Sequence, residues 1–227
     1  KQDGITALMA AAKNGHKEVC QLLIEKGADV NAVSMLGTAL TKAAKGGHKE
    51  LCQMLIEKGA DVNAVSIRGT ALMVAAEEGN KEVCELLIEK GAEINAVNEF
   101  GTTALMFAAK EGNKEVCQLL VEKGLEVNTA DKYGITAFMR AANRGNKEVC
   151  QLLIEKGADV NAVAKNGWTA LTKAAEGGHK EVCQLLIEKG ADVNAVDLKN
   201  RTPLVISVES GQREIIEMLI NATVQAS

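Results

Sequence analysis

Six cysteines, Cys20, Cys52, Cys84, Cys117, Cys150 and Cys183, recur at spacings of 32, 32, 33, 33 and 33 residues. Thiols placed so regularly raise three chemistries: disulfides, metal ligation and nucleophilic attack. A metal site wants two of them within a Cys-x2–4-Cys span, and no such span occurs. Histidine is the other candidate. His16, His48 and His179 stand at one recurring position, where Asn80, Asn113, Asn146 and Gln212 stand in the other copies. A position that accepts His, Asn or Gln asks for a hydrogen-bonding cap, not a proton shuttle. Charged pairs such as Lys17–Glu18 and Glu25–Lys26 read as a solvated helix face. Asn200–Arg201–Thr202 and Asn221–Ala222–Thr223 fit the glycosylation sequon, but no charged-then-apolar leader opens the chain, so both read as chance matches. No phosphate loop and no nucleophile–base signature is present. The expectation is no enzyme, with no catalytic residues, no metal and no cofactor.

A repeat sets the elements that carry these residues. The string KEVCQLLIEKGADVNAV occupies 17–33 and returns unchanged at 147–163 and 180–196, with near copies from Lys49, Lys81 and Lys114. In the first copy Thr6 is placed to cap a short helix over Ala7–Lys13, accepting from a backbone N–H one turn on. Asn14–Gly15 breaks that helix. Val19, Leu22 and Leu23 then fall at i, i+3 and i+4 on one face of a second helix, which Gly27 ends in the left-handed conformation. ADVNAV leads into a turn around Gly4 or its counterpart. A helix pair this short cannot bury its own apolar face, whereas stacked copies can. Cysteines on neighbouring stacked helices would sit about 8–10 Å apart, beyond the roughly 7 Å between Cα atoms that a disulfide tolerates. They therefore read as small core residues, and six intact thiols suit a reducing compartment.

Composition agrees. Of 227 residues 47% are apolar but only 2% aromatic, so the core must be aliphatic. The net charge of −4 is well mixed, without the basic excess that nucleic-acid binding leaves. No apolar run approaches the roughly 20 residues of a membrane span.

DKYGITAFMRAANRGNKEVCQLLIEKGADVNA resembles the ankyrin repeat, and the resemblance covers the chain as seven copies. It implies an all-α ankyrin-repeat solenoid of helix–turn–helix pairs joined by β-hairpin-like loops. The chain is read as one domain over 1–227, with repeats at about 1–33, 34–65, 66–97, 98–130, 131–163, 164–196 and 197–227. Ser207, Glu217, Asn221 and Gln225 would make the last copy a polar C-terminal cap. The first copy looks internal, so residues upstream of Lys1 are expected in a parent protein. Two departures stand out. The family's T-P-L-H is T-A-L-M or T-A-L-T here, with Met9, Thr41, Met73, Met106, Met139 or Thr172 where histidine is usual. The copies starting near Ser34 and Ser66 also lack one residue between Gly and Thr, so their hairpin tips should be shorter.

The copies differ at the tips, just after the tip glycine, and along one stripe of the first helix. The resemblance places these positions on a concave groove and its fingers. Four of the five aromatics fall on them: Phe100, Phe107, Tyr133 and Trp168. Phe138 instead replaces a core leucine. Aromatics on a groove with arginine beside them suit a binding hot spot. The expected partner-binding set is Phe100, Phe107, Tyr133, Ile135, Arg140, Arg144, Trp168 and Lys173, extended by Leu36, Arg68 and Val74. The expected partner is a protein or peptide of mixed charge. No nucleic acid, no membrane insertion and a monomeric chain are expected, in the cytoplasm or nucleus, or in the host cytoplasm if this is a bacterial effector. The rival readings are a self-assembling spacer, a recruiting arm of a larger effector or enzyme, and an engineered repeat binder.

Overall fold

The computed structural model of the protein describes residues 4–225. Among them are fourteen helices in seven pairs: α1 (Ala7–Lys13) and α2 (Lys17–Glu25), α3 (Ala39–Lys45) and α4 (Lys49–Glu57), α5 (Ala71–Glu78) and α6 (Lys81–Glu89), α7 (Ala104–Glu111) and α8 (Lys114–Glu122), α9 (Ala137–Asn143) and α10 (Lys147–Glu155), α11 (Ala170–Glu176) and α12 (Lys180–Glu188), α13 (Pro203–Glu209) and α14 (Arg213–Gln225). The fold is an all-α array of helix pairs. The only β features among the described residues are isolated bridges at the hairpin loops. The array divides within the fourth pair. One compact body is built from the residues up to Ala108 with Glu115–Leu125, and the other from Ala109–Lys114 and the residues from Glu126 on.

Each first helix opens on a threonine. Thr6, Thr38, Thr70, Thr103, Thr136, Thr169 and Thr202 each accept the backbone N–H three residues on, at 3.2–3.4 Å. At Thr41 and Thr172 the residue in the usual histidine place returns a bond to the backbone N–H of the cap, completing a capping box. Met9, Met73, Met106 and Met139 make no such return and are buried in the core. The single proline, Pro203, takes the first turn of α13, where its missing N–H costs nothing.

Packing follows the repeated letters. In the first body α1 packs on α3 and α3 on α5; in the second, α9 packs on α11 and α11 on α13. Leu8, Leu40, Leu72, Phe138 and Leu171 sit in these first-helix layers, and Leu55, Leu87, Leu153 and Leu186 in the second-helix layers, all 0–1% exposed. Truncating any of them to Ala would cost about 2–5 kcal/mol. All six cysteines are free and fully buried. Burial pushes the thiols of Cys52, Cys84, Cys117, Cys150 and Cys183 up to about 12, and raises Cys20 as well. Thiols held neutral in this way are poor nucleophiles and poor ligands.

The recurrent His/Asn position caps, but not its own helix. In none of α2, α4, α6, α10 and α12 does that side chain bond its own helix start. It reaches back to the first helix of the preceding pair. Asn80 Nδ2 donates to the Ala44 and Lys45 carbonyls at 2.9 and 3.1 Å, and Asn146 Nδ2 to those of Ala109 and Lys110 at 2.9 Å. His48 Nε2 meets Lys13 O at 3.3 Å and His179 Nε2 meets Asn143 O at 3.1 Å. A carbonyl only accepts, so Nε2 carries the proton in both rings. The side chain passes over a glycine: a Cβ on Gly47 would lie 3.0 Å from Asn80 Oδ1. Gly27 is different. Its φ of +89° is what demands glycine, because a Cβ there would meet nothing within 4 Å.

The asparagine of ADVNAV makes a second tie between copies, one that periodicity alone did not reveal. Asn31 Nδ2 donates to Gly59 O at 2.8 Å and its Oδ1 accepts from Asp61 N at 2.8 Å. Asn63 makes the same pair of bonds with Gly91 and Glu93, Asn128 with Gly157 and Asp159, and Asn161 with Gly190 and Asp192.

At the two ends the copies differ. Val19 and Leu22 on α2 are 47% and 53% exposed, while their counterparts Val83 and Leu86 are 1% and 4%. In the last pair Glu217 and Asn221 are exposed, whereas Ser207, expected on the outer side, is fully buried, its hydroxyl donating to Leu204 O at 2.8 Å. A hydroxyl bonded to its own helix is compatible with the core, so its polarity does not mark an outer face. The Gln225 side chain and the tip Gln2–Asp3 lie outside the described residues.

Candidate functional site

The hairpin tips are fixed before any side chain on them can act. The two short copies close on two-residue tips: Ser34 and Gly37 exchange backbone bonds at 3.1 Å, and Ser66 and Gly69 do so at 3.0 and 2.8 Å. The longer copies close one residue later, with Asn98 N donating to Thr102 O and Asp131 N to Ile135 O. In the fourth, fifth and seventh copies a buried Asx side chain organises the turn, while the sixth has Ala164 there. Asp131 Oδ1 accepts from Tyr133 N and Ile135 N at 2.8 and 2.9 Å. Asn98 and Asp197 do the same for their tips. These anchors are not singled out in the sequence, although Asn98 and Asp131 stand three residues before the tip glycines Gly101 and Gly134, and Asp197 three before Asn200, which takes the same left-handed place. Successive tips are then tied backbone to backbone, Lys165 N to Tyr133 O at 2.9 Å and Leu198 N to Asn166 O at 3.2 Å.

In the second body this frame surrounds a hollow of about 420 Å³ lined by Asp131, Tyr133, Ile135, Met139, Arg140, Asn143, Asn166, Trp168 and Lys173. Five of the expected residues, Tyr133, Ile135, Arg140, Trp168 and Lys173, are brought together there. Tyr133 on the rim is 61% exposed. Lys173 Nζ lies 3.7 Å from the centroid of the Trp168 ring and pairs with Glu176, a cation–π contact that holds the indole in place. Arg140 also serves the fold itself. Its guanidinium donates to Asp131 Oδ2 at 2.7 Å, bracing the fifth tip from α9. The last copy repeats the device, with Arg201 donating to Asp197 at 2.6 and 2.9 Å. That bond holds the Asp197 carboxyl below its ordinary range.

The other expected residues lie elsewhere. Arg144 is the C-cap of α9 and is exposed, outside this hollow. In the first body Leu36, Arg68 and Val74 line a separate hollow of about 490 Å³. Val74, expected on the groove surface, is only 2% exposed; its side chain is too short to project past the Lys42 and Arg68 that line the same hollow. Phe100 is 45% exposed on the fourth tip and Phe107 is half-buried on α7, and neither lines either hollow.

Among the described residues no group of three His, Cys, Asp or Glu side chains is arranged to hold a metal ion. Nor, among the described residues, is any helix long and apolar enough to cross a membrane. The second-body hollow offers an amphipathic ring at Tyr133, an aliphatic wall at Ile135 and held cations at Arg140 and Lys173. A family model described as ankyrin repeats (3 copies) matches the chain over residues 1–66, 36–98, 72–164 and 138–227. Among curated proteins, none gives a match.

Proposed function

The chain belongs to the ankyrin repeat family, whose repeats are generally protein–protein interaction modules with a non-enzymatic fold, and on that premise we propose that it grips a partner protein or peptide through its tips and first-helix hollows. The observation that carries this reading is the hollow holding Tyr133, Ile135, Trp168 and Lys173. Aromatics are only 2% of the chain, yet two of them rim one concavity instead of filling the core. Buried contact of an aromatic anchor in such a place typically dominates binding energy. Arg140 contributes by holding the tip in shape, and through whatever part of its guanidinium a partner can reach. Phe100, Phe107 and Arg144 stand as additional contact residues on the tips and first helices.

The test uses a partner selected by display against the folded chain, with affinity measured by titration calorimetry. Trp168→Ala and Tyr133→Ala should each weaken binding by about 2 kcal/mol, roughly thirtyfold, with an unchanged far-UV circular dichroism spectrum. Affinity that survives both substitutions would overturn the reading.

A further inference from the structure

The hollow in the first body has a different chemistry, and we infer that it docks an extended acidic peptide which inserts one apolar side chain among Ile5, Met9, Leu36 and Val74. The site is separate from the one on which the recognition role rests: every residue that lines it belongs to the first body.

Its floor is made by Met9, Thr41 and Val74, which are 1–3% exposed, and its walls by Ile5 and Leu36, which are 52% and 44% exposed. About 490 Å³ is room for a bulky side chain and its neighbours. The charged lining is all of one sign: Lys13 at the end of α1, Lys42 and Lys45 on α3, and Arg68 on the third tip. No acidic residue lines the hollow among the described residues. Glu78 and Glu77 pair with Lys45 and Arg68 at 3.1 and 3.6 Å, but only from beyond the lining. Among the described residues Lys13 and Lys42 have no carboxylate partner, and the Lys42 ammonium donates to the Leu36 carbonyl at 3.1 Å.

The field at the centre is therefore unbalanced. Lys42 is pushed below the ordinary lysine range, first by burial and then by the like charges of Lys13, Lys45 and Arg68. A ligand carboxylate placed there would compensate Lys13 and Lys42 together, while its side chain removed Ile5 and Leu36 from water. With no acidic side chain among its described lining residues, this local positive field selects for an anionic ligand. A polyanion without an apolar group would leave the walls wet, and an apolar ligand without charge would leave the cations uncompensated. Both features are met by a segment such as Glu-Glu-Leu-Glu-Glu.

The experiment is fluorescence anisotropy with a labelled Glu-Glu-Leu-Glu-Glu peptide, its Gln-Gln-Leu-Gln-Gln counterpart and its Glu-Glu-Gly-Glu-Glu counterpart. The acidic leucine peptide should bind about tenfold more tightly than either control, and added salt should weaken it. The triple variant Lys13→Gln, Lys42→Gln, Lys45→Gln should lose about tenfold or more, while Lys132→Gln, Lys165→Gln, Lys199→Gln, with the same charge change in the second body, should not. Trp168→Ala should leave this peptide unaffected, so failure here and failure of the recognition role are told apart. Equal binding of the three peptides, no binding of any, or indifference to the first triple variant would each overturn the inference.

Discussion

Raising the pH from 8 to 10 should loosen the protein through its buried thiols. An unfolded cysteine with the ordinary value of 9.0 gives up most of its proton over that interval, whereas a thiol held near 12 keeps it. The native state then binds more protons than the unfolded one, so stability falls as pH rises. The contribution is fully present below about 9 and is lost progressively toward about 12. Between pH 8 and 10 the unfolded thiol gains close to one pH unit of ionisation free energy, about 1.4 kcal/mol per cysteine. Cys150 and Cys183 in the second body therefore cost it about 2.7 kcal/mol, and Cys52, Cys84 and Cys117 cost the first body about 4 kcal/mol. Cys20 acts in the same direction. The assay is urea unfolding under reducing conditions at pH 8, 9 and 10, for the native sequence and for Cys150→Ala, Cys183→Ala. Removing the two methyl-sized thiols lowers stability at every pH, so the readout is the slope, which should be shallower in the variant. An identical loss in both proteins would refute the idea that burial of these thiols sets the alkaline limit.

Other perturbations follow from the ties between copies. Thr169→Ala removes the acceptor for Thr172 N at 3.2 Å and half of the capping box; a loss of about 1–2 kcal/mol is expected, read as a lowered Tm by calorimetry, and an unchanged Tm would contradict it. Gly47→Ala places a Cβ 3.0 Å from Asn80 Oδ1 at a φ of +71°, while Gly59→Ala at +89° meets open space. Both should destabilise, by about 1 kcal/mol for the backbone alone, and Gly47→Ala should be the worse in urea titrations; the reverse order would mean that the Asn80 bridge does not matter.

The helix pairs were legible in the sequence because threonine caps, small first helices and glycine stops recur with a fixed period. The reading of Phe138 as a leucine substitute, the burial of the cysteines and the shorter tips at Ser34 and Ser66 agree with the structure for the same reason: each is a local property compared across copies. What periodicity could not show is the direction of a side chain between copies. The asparagine at 80 and the histidine at 48 read as caps in the sequence, but only the structure shows that both reach back to the preceding pair. Asn31, Asn63, Asn128 and Asn161 passed as loop residues although they tie one copy to the next. For the candidate site, variation among copies separated the tips and the first-helix stripe from the core, but not their depth. Val74 and Ile206 stand at the same stripe position as Lys42 and Lys173 and are nonetheless buried; Val74 lies in the floor of the first hollow, and Lys173 itself folds over the Trp168 ring. Arg140 also pairs with Asp131 of its own tip, nine residues away, a contact that the repeat spacing does not show.

The repeated letters hold the copies together, and the proposed function assigns the exposed varied ones to a ligand. The most direct measurement of that division is the urea stability of Asn161→Ala beside that of the triple variant Tyr133→Ala, Arg144→Ala, Lys165→Ala. Asn161 supplies two bonds to the next copy, at 3.0 and 2.8 Å, so its loss should cost about 2 kcal/mol. The three varied side chains are exposed, so the triple variant should stay within about 1 kcal/mol of the parent. A triple variant less stable than Asn161→Ala would contradict the account.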